Sequence, residues 1–208
     1  IFPHMLAWLD DVLEVAKSQP ETLFVIRAHP DEIRPGKASR ESVAGWVKDR
    51  NADALPNVMF VSSDQYFSSY EMIHRSKFVM IYNSTIGMEA SIMGKPVICA
   101  GKARFTQLDT VYFPQTRQAY IEKLEAFLNA DEVPVLPEHQ QNARRFLYFQ
   151  LFYTSLPFDR YLKPDEIWPG FVRLKEFDWQ DLLPENSQTL KVISEGLLEG
   201  RDFLITEG

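Results

Sequence analysis

The sequence predicts an α/β protein, a parallel sheet flanked by helices with a helical, aromatic-rich carboxyl-terminal extension, and three observations lead there. Short β-rich apolar runs recur at Thr22-Leu-Phe-Val-Ile26, Asn57-Val-Met-Phe-Val61, Phe78-Val-Met-Ile-Tyr82 and Pro96-Val-Ile-Cys-Ala100. Each is too brief for a buried helix and is bounded by polar residues. Stretches with helical spacing lie between them, and strands that alternate with helices build βαβ units with right-handed crossovers. After Gly101 the alternation weakens, and residues 146 to 179 hold 11 of the 27 aromatic residues, a density that demands burial against this domain or against a second one.

Residues 4 to 18 read as an amphipathic helix, with Leu6, Leu9, Val12, Leu13 and Ala16 at helix spacing and Ser18-Gln-Pro20 as its stop. The strand 22 to 26 empties into the polar loop Arg27-Ala-His-Pro-Asp-Glu32. A helix over 40 to 50, the strand 57 to 61 and a helix from Tyr66 to Ser76 come next, and the strand 78 to 82 then leads into a helix over 84 to 93. Asn83, Ser84 and Thr85 supply N-cap chemistry for that helix, which would aim several unpaired N–H groups and its positive dipole end past the strand, a setting that suits an anion such as phosphate. Gly94 stops the helix and Lys95-Pro96 opens the strand 96 to 100. Beyond lie a short strand near Val111-Tyr-Phe113, a helix from Thr116 to Asn129, a proline-containing linker over Asp131 to Pro137, and a helix from Glu138 to Tyr153. The division is a ligand-binding domain over residues 1–130 and an extension over 131–208. Because the chain opens at Ile1 and almost at once enters a helix, it reads as a segment of a longer protein.

A net charge of −7 without a basic stripe argues against nucleic acid as the main partner. No run has the length to cross a bilayer and nothing resembles a signal peptide, so the expectation is a cytoplasmic protein. The lone Cys99 lies within an apolar strand and reads as a small core residue. His4, His29, His74 and His139 lack metal-site spacing, and there is no Asp-x-Asp pair of the kind that holds a divalent cation, so neither metal nor cofactor is predicted. Phosphate-loop, dinucleotide and nucleophile-elbow motifs are all missing.

In an open parallel α/β sheet, ligands bind outside the carboxyl ends of the strands. Three polar loops fall at such ends: Arg27 to Glu32, Ser62 to Asp64 with the nearby Ser68 to Glu71, and Asn83 to Gly87. Arg27 and His29, two apart in extended chain, face one side, where one could hold a diphosphate bidentately and the other donate to a phosphate or sugar oxygen. The plainer alternative pairs Arg27 with Asp31 and makes His29 a turn cap before Pro30. Gly87 permits close approach by a ligand or a neighbouring backbone. Glu89, on the edge of an apolar helix face, needs a partner, and ribose hydroxyls, buried N–H groups or an arginine would each serve.

Arg27-x-His29-Pro30-x-Glu32, then Asn83-Ser84-Thr85-x-Gly87-x-Glu89-Ala90, then Gly94-Lys95-Pro96-Val97, is similar to the carboxyl-terminal, Rossmann-like nucleotide-binding half of GT-B glycosyltransferases. It resembles most the bacterial capsule polysaccharide biosynthesis group, over residues 20 to 105. The resemblance implies a nucleotide-sugar donor as substrate, a glycan acceptor in a cleft, and an amino-terminal domain of the same protein that is missing here and often carries the general base. It also implies a final helix crossing back onto that domain, which would account for the aromatic segment, and peripheral association with the inner face of the membrane. Carried over, Glu89 takes the ribose hydroxyls, and Ser84 and Thr85 take the phosphates with Asn83 and Gly87 in the same loop. Arg27 and His29 meet the phosphate or the transferred sugar, and His29 and Glu32 are the catalytic candidates. Asp31 and Glu32 could instead orient Arg27 or His29. Two other functions compete: a nucleotide-sugar epimerase of the same architecture, and a non-catalytic binding or assembly domain that uses the aromatic tail as an interface.

Overall fold

A computed structural model describes residues 1–33 and 41–205. It divides into two compact units, Ile1–Ala143 and Arg144–Gly208.

The first unit is a mixed α/β structure whose parallel strands form two separate two-stranded sheets rather than the one parallel sheet expected. Helix α1, Met5–Lys17, is capped by His4, whose ring accepts from the Ala7 N–H, and it buries Leu9, Val12, Leu13 and Ala16 as its periodicity predicts, while Leu6 is only half-buried and Trp8 and Val15 join the buried face. Strand β1, Phe24–Arg27, pairs in parallel with β2, Val58–Val61, with Phe24 opposite Val58 and Arg27 opposite Val61. Between them lies α2, Val43–Arg50, with Ser42 as N-cap and Asn51 closing it in the left-handed region. Asp10 on α1 accepts from Trp46 Nε1 at 2.9 Å and from Arg50, whose guanidinium holds the carboxyl below its ordinary value. Helix α3, Ser69–Arg75, leads to β3, Val79–Ile81, and α4, Ile86–Ile92, leads to β4, Val97–Cys99, which pairs in parallel with β3. Gly94 stops α4 at a φ of 79°, which only a residue without Cβ adopts readily. Helix α5, Arg117–Asn129, adds Tyr120, Leu124, Phe127 and Leu128 to a core shared with α1, α2 and both sheets.

Several boundaries differ from those expected. Arg27 is the last residue of β1 rather than part of the loop, because its strand pairs through Val61. Residue 40 of the expected helix 40 to 50 lies outside the described residues, and the helix proper starts at Val43. The expected strand at 111 to 113 reduces to one parallel bridge between Ile98 and Tyr112. Helix α3 starts three residues after Tyr66, because Ser68 supplies the cap.

In the second unit, α6, Pro137–Phe149, which begins in the first, runs on into a π-turn over Gln150–Thr154. The extension, expected to be helical, also contains an antiparallel pair, β5, Leu162–Pro164, with β6, Val172–Leu174. Helix α7, Gln188–Glu199, closes at Gly200. Tyr161 is buried, its hydroxyl donating to the Asp181 carbonyl at 2.6 Å. Most of the other aromatics stay at the surface, Trp168 and Trp179 at 65% exposure and Phe171 at 66%, since so short a segment has little interior. No helix among the described residues is long and apolar enough to cross a membrane.

Candidate functional site

Arg27 ends β1 beside β2, and its Nη1 donates to the Ser62 carbonyl at 2.7 Å. Its Nε is buried with no acceptor, and it makes no ion pair among the described residues. Pairing with Asp31 is therefore not what holds it. A buried N–H donor without a partner costs about 1–3 kcal/mol until something accepts from it. Ala28 points into the core, fully buried, and its N–H continues the ladder to Val61 at 3.0 Å. Arg27 is half-buried, whereas His29, just past the end of the strand, is exposed. The His29 ring does cap the turn: Nδ1 accepts from the Asp31 N–H at 3.1 Å, so in the neutral ring the proton sits on Nε2 as an outward donor. Both oxygens of Glu32 accept from the Val43 N–H, at 3.1 and 3.2 Å, which fastens the Arg27–Glu32 loop to the first turn of α2.

The loop Asn83–Thr85 follows β3. Its N-cap chemistry is weaker than expected: Thr85 makes no side-chain capping bond, and Ser84 Oγ lies 3.5 Å from the Ile86 N–H. The N–H groups of Gly87, Met88 and Glu89 are taken by the Ser84 and Thr85 carbonyls in a tight first turn, so the supply of free donors lies earlier. The N–H groups of Asn83, Ser84 and Thr85 have no acceptor among the described residues. Gly87 is required by the sheet. A Cβ there would stand 2.2 Å from Ile81 Cδ1 and 3.3 Å from Val97 Cγ1, and these side chains are 4% and 1% exposed. Gly87→Ala is expected to destabilise the protein by about 1–2 kcal/mol, the overpacking penalty less the gain in helix propensity. Urea unfolding checks this, and a midpoint at or above that of the wild type would mean that Ile81 swings clear.

Glu89, one turn further along α4, accepts from the Tyr70 hydroxyl at 2.5 Å and has no ion pair among the described residues. This partner escapes sequence reasoning, since nothing in a local pattern pairs Tyr70 on α3 with a residue 19 positions on. The contact links α4 to α3, which follows the Ser62–Ser68 segment whose first carbonyl holds Arg27. No hydrogen bond or ion pair joins Arg27 or His29 directly to Asn83, Ser84, Thr85 or Glu89 among the described residues. Cys99 is fully buried and burial pushes its thiol up to about 12, so it stays protonated and inert at neutral pH.

These features define a mixed α/β protein with small parallel sheets and polar loops at strand carboxyl ends. A family model described as capsule polysaccharide biosynthesis protein matches residues 2–108, more than half of the 208. The chain belongs to the capsule polysaccharide biosynthesis protein family. It is similar to protein FixF of Sinorhizobium fredii, at 31% identity over 107 residues, which make up 51% of this chain and 23% of FixF. The chain thus spans about a quarter of the length of that curated relative. No solved structure matches it.

Proposed function

We propose that this chain carries the donor-binding part of a glycosyltransferase that moves a sugar from a nucleotide-activated donor to a glycan acceptor during capsule polysaccharide synthesis. Membership in the capsule family supports the setting. The observation that carries the chemistry is a guanidinium and a carboxylate, Arg27 and Glu89, that flank strand-end loops and have no charged partner among the described residues. In this reading Glu89 accepts from ribose hydroxyls. The free N–H groups of Asn83, Ser84 and Thr85, with the Ser84 and Thr85 hydroxyls, receive phosphate oxygens. Arg27 adds positive charge and His29 donates from Nε2 to the phosphate or the transferred sugar. As the bond to the sugar breaks, negative charge grows on the leaving nucleoside phosphate, and donors already fixed in place stabilise it without reorganisation. Glu32, committed to the Val43 N–H, positions the loop that carries His29.

Calorimetric titration with CMP, CDP, UDP and GDP species tests the reading, and failure of every one to bind would sink it. For whichever binds, Glu89→Ala is expected to weaken affinity by more than about 1 kcal/mol, the scale of a lost hydrogen bond to a charged group. An unchanged affinity in the folded variant would remove Glu89 from the site.

A further inference from the structure

We propose that Tyr70 completes a ribose-reading pair with Glu89, so that the site separates a ribonucleotide from its deoxy counterparts. Resting on the donor-site reading above, the proposal extends it to a residue on a different helix. Tyr70 lies in the first turn of α3, 54% exposed, with its hydroxyl donating to Glu89 Oε2 at 2.5 Å. A phenolic oxygen carries a single proton. With that proton committed to the carboxylate, the oxygen offers only lone pairs, as does Oε1 of Glu89. The hydrogen bond to Glu89, and then its charge, push the Tyr70 hydroxyl above its ordinary value, which keeps the proton in place at neutral pH.

The pair therefore presents two neighbouring acceptors and no donor. A vicinal diol is the complement, with two hydroxyl donors on adjacent carbons, one for each oxygen. Removing either sugar hydroxyl loses one of the two hydrogen bonds, and because Tyr70 is exposed enough for water to answer its oxygen, the discrimination expected is that of a single lost bond rather than the larger factors of a closed site. Glu89 stands one turn along α4 from Thr85, so a ribose seated on the pair keeps its phosphate within reach of the Asn83–Thr85 loop.

The test is calorimetric titration of the whole protein with CMP, UDP and GDP, and with the 2′-deoxy and 3′-deoxy forms of whichever binds. The wild type is expected to bind the ribonucleotide about tenfold more tightly than either deoxy form. Tyr70→Phe keeps the ring and removes the oxygen. It is expected to weaken the ribonucleotide about five- to tenfold while leaving one deoxy form, the one lacking the hydroxyl that meets Tyr70, within about twofold of wild type. Two results overturn the proposal and leave the donor-site reading standing: ribonucleotide bound by Tyr70→Phe as tightly as by the wild type, or an equal loss for all three ligands. A wild type that binds none of these nucleotides overturns both.

Discussion

Tyr120→Ala is expected to lower the stability of the protein by about 3–5 kcal/mol, the range for deleting a large aromatic side chain from a packed interior. Tyr120 is fully buried on α5 and packs edge-on against Phe2, with ring centroids 5.3 Å apart. Its hydroxyl accepts from Trp8 Nε1 at 2.9 Å, tying α5 to α1 across 112 positions of sequence. Burial pushes that hydroxyl far above its ordinary value, so it remains a neutral acceptor at any physiological pH. Tyr120→Phe separates packing from hydrogen bonding: it keeps the ring but strands the Trp8 N–H, at a cost of about 1–3 kcal/mol. Denaturant unfolding followed by circular dichroism checks both. Tyr120→Ala within about 1 kcal/mol of wild type would show that this helix pair is not central to the core.

Arg27→Ala is expected to reduce affinity for a nucleoside diphosphate about 10- to 100-fold, since a charge-assisted hydrogen bond contributes about 1.5–3 kcal/mol. The basis is the state of the guanidinium: one N–H on the Ser62 carbonyl, and a buried Nε with no acceptor among the described residues. Arg27→Lys keeps the charge but loses the planar fork, so it should fall between wild type and alanine. Titration of each variant, after circular dichroism establishes that it is folded, measures the effect. Equal affinities for all three proteins would exclude Arg27 from phosphate binding.

Both expectations depend on contacts between elements, and there sequence reading reached its limit. The strands were legible because each is a short apolar run between polar stops. Gly94 was legible as a helix stop for the same local reason. Gly87 was legible as a point of close approach, but the neighbour that requires it, Ile81, emerges only once α4 packs on β3. The sequence allows His29 two roles, and its ring caps the turn through Nδ1 while leaving Nε2 without a partner among the described residues, which a sequence does not reveal. Glu32 fits a catalytic or an orienting role by sequence, and both its oxygens sit on the first turn of α2, a partner 11 positions away.

The opening strand-helix alternation, the parallel pairing and the polar residues at strand ends follow from the amino-acid order alone. They rest on backbone geometry and hydrophobic periodicity, which act over a few residues. Which of those polar residues already have partners was decided by tertiary structure. Tyr70 on α3 reached Glu89 on α4, Ser62 took one N–H of Arg27, and packing left the Arg27 Nε buried without an acceptor among the described residues. A side chain's hydrogen-bonding vacancy depends on every group that packing brings within about 3 Å, and that set is written in no local pattern.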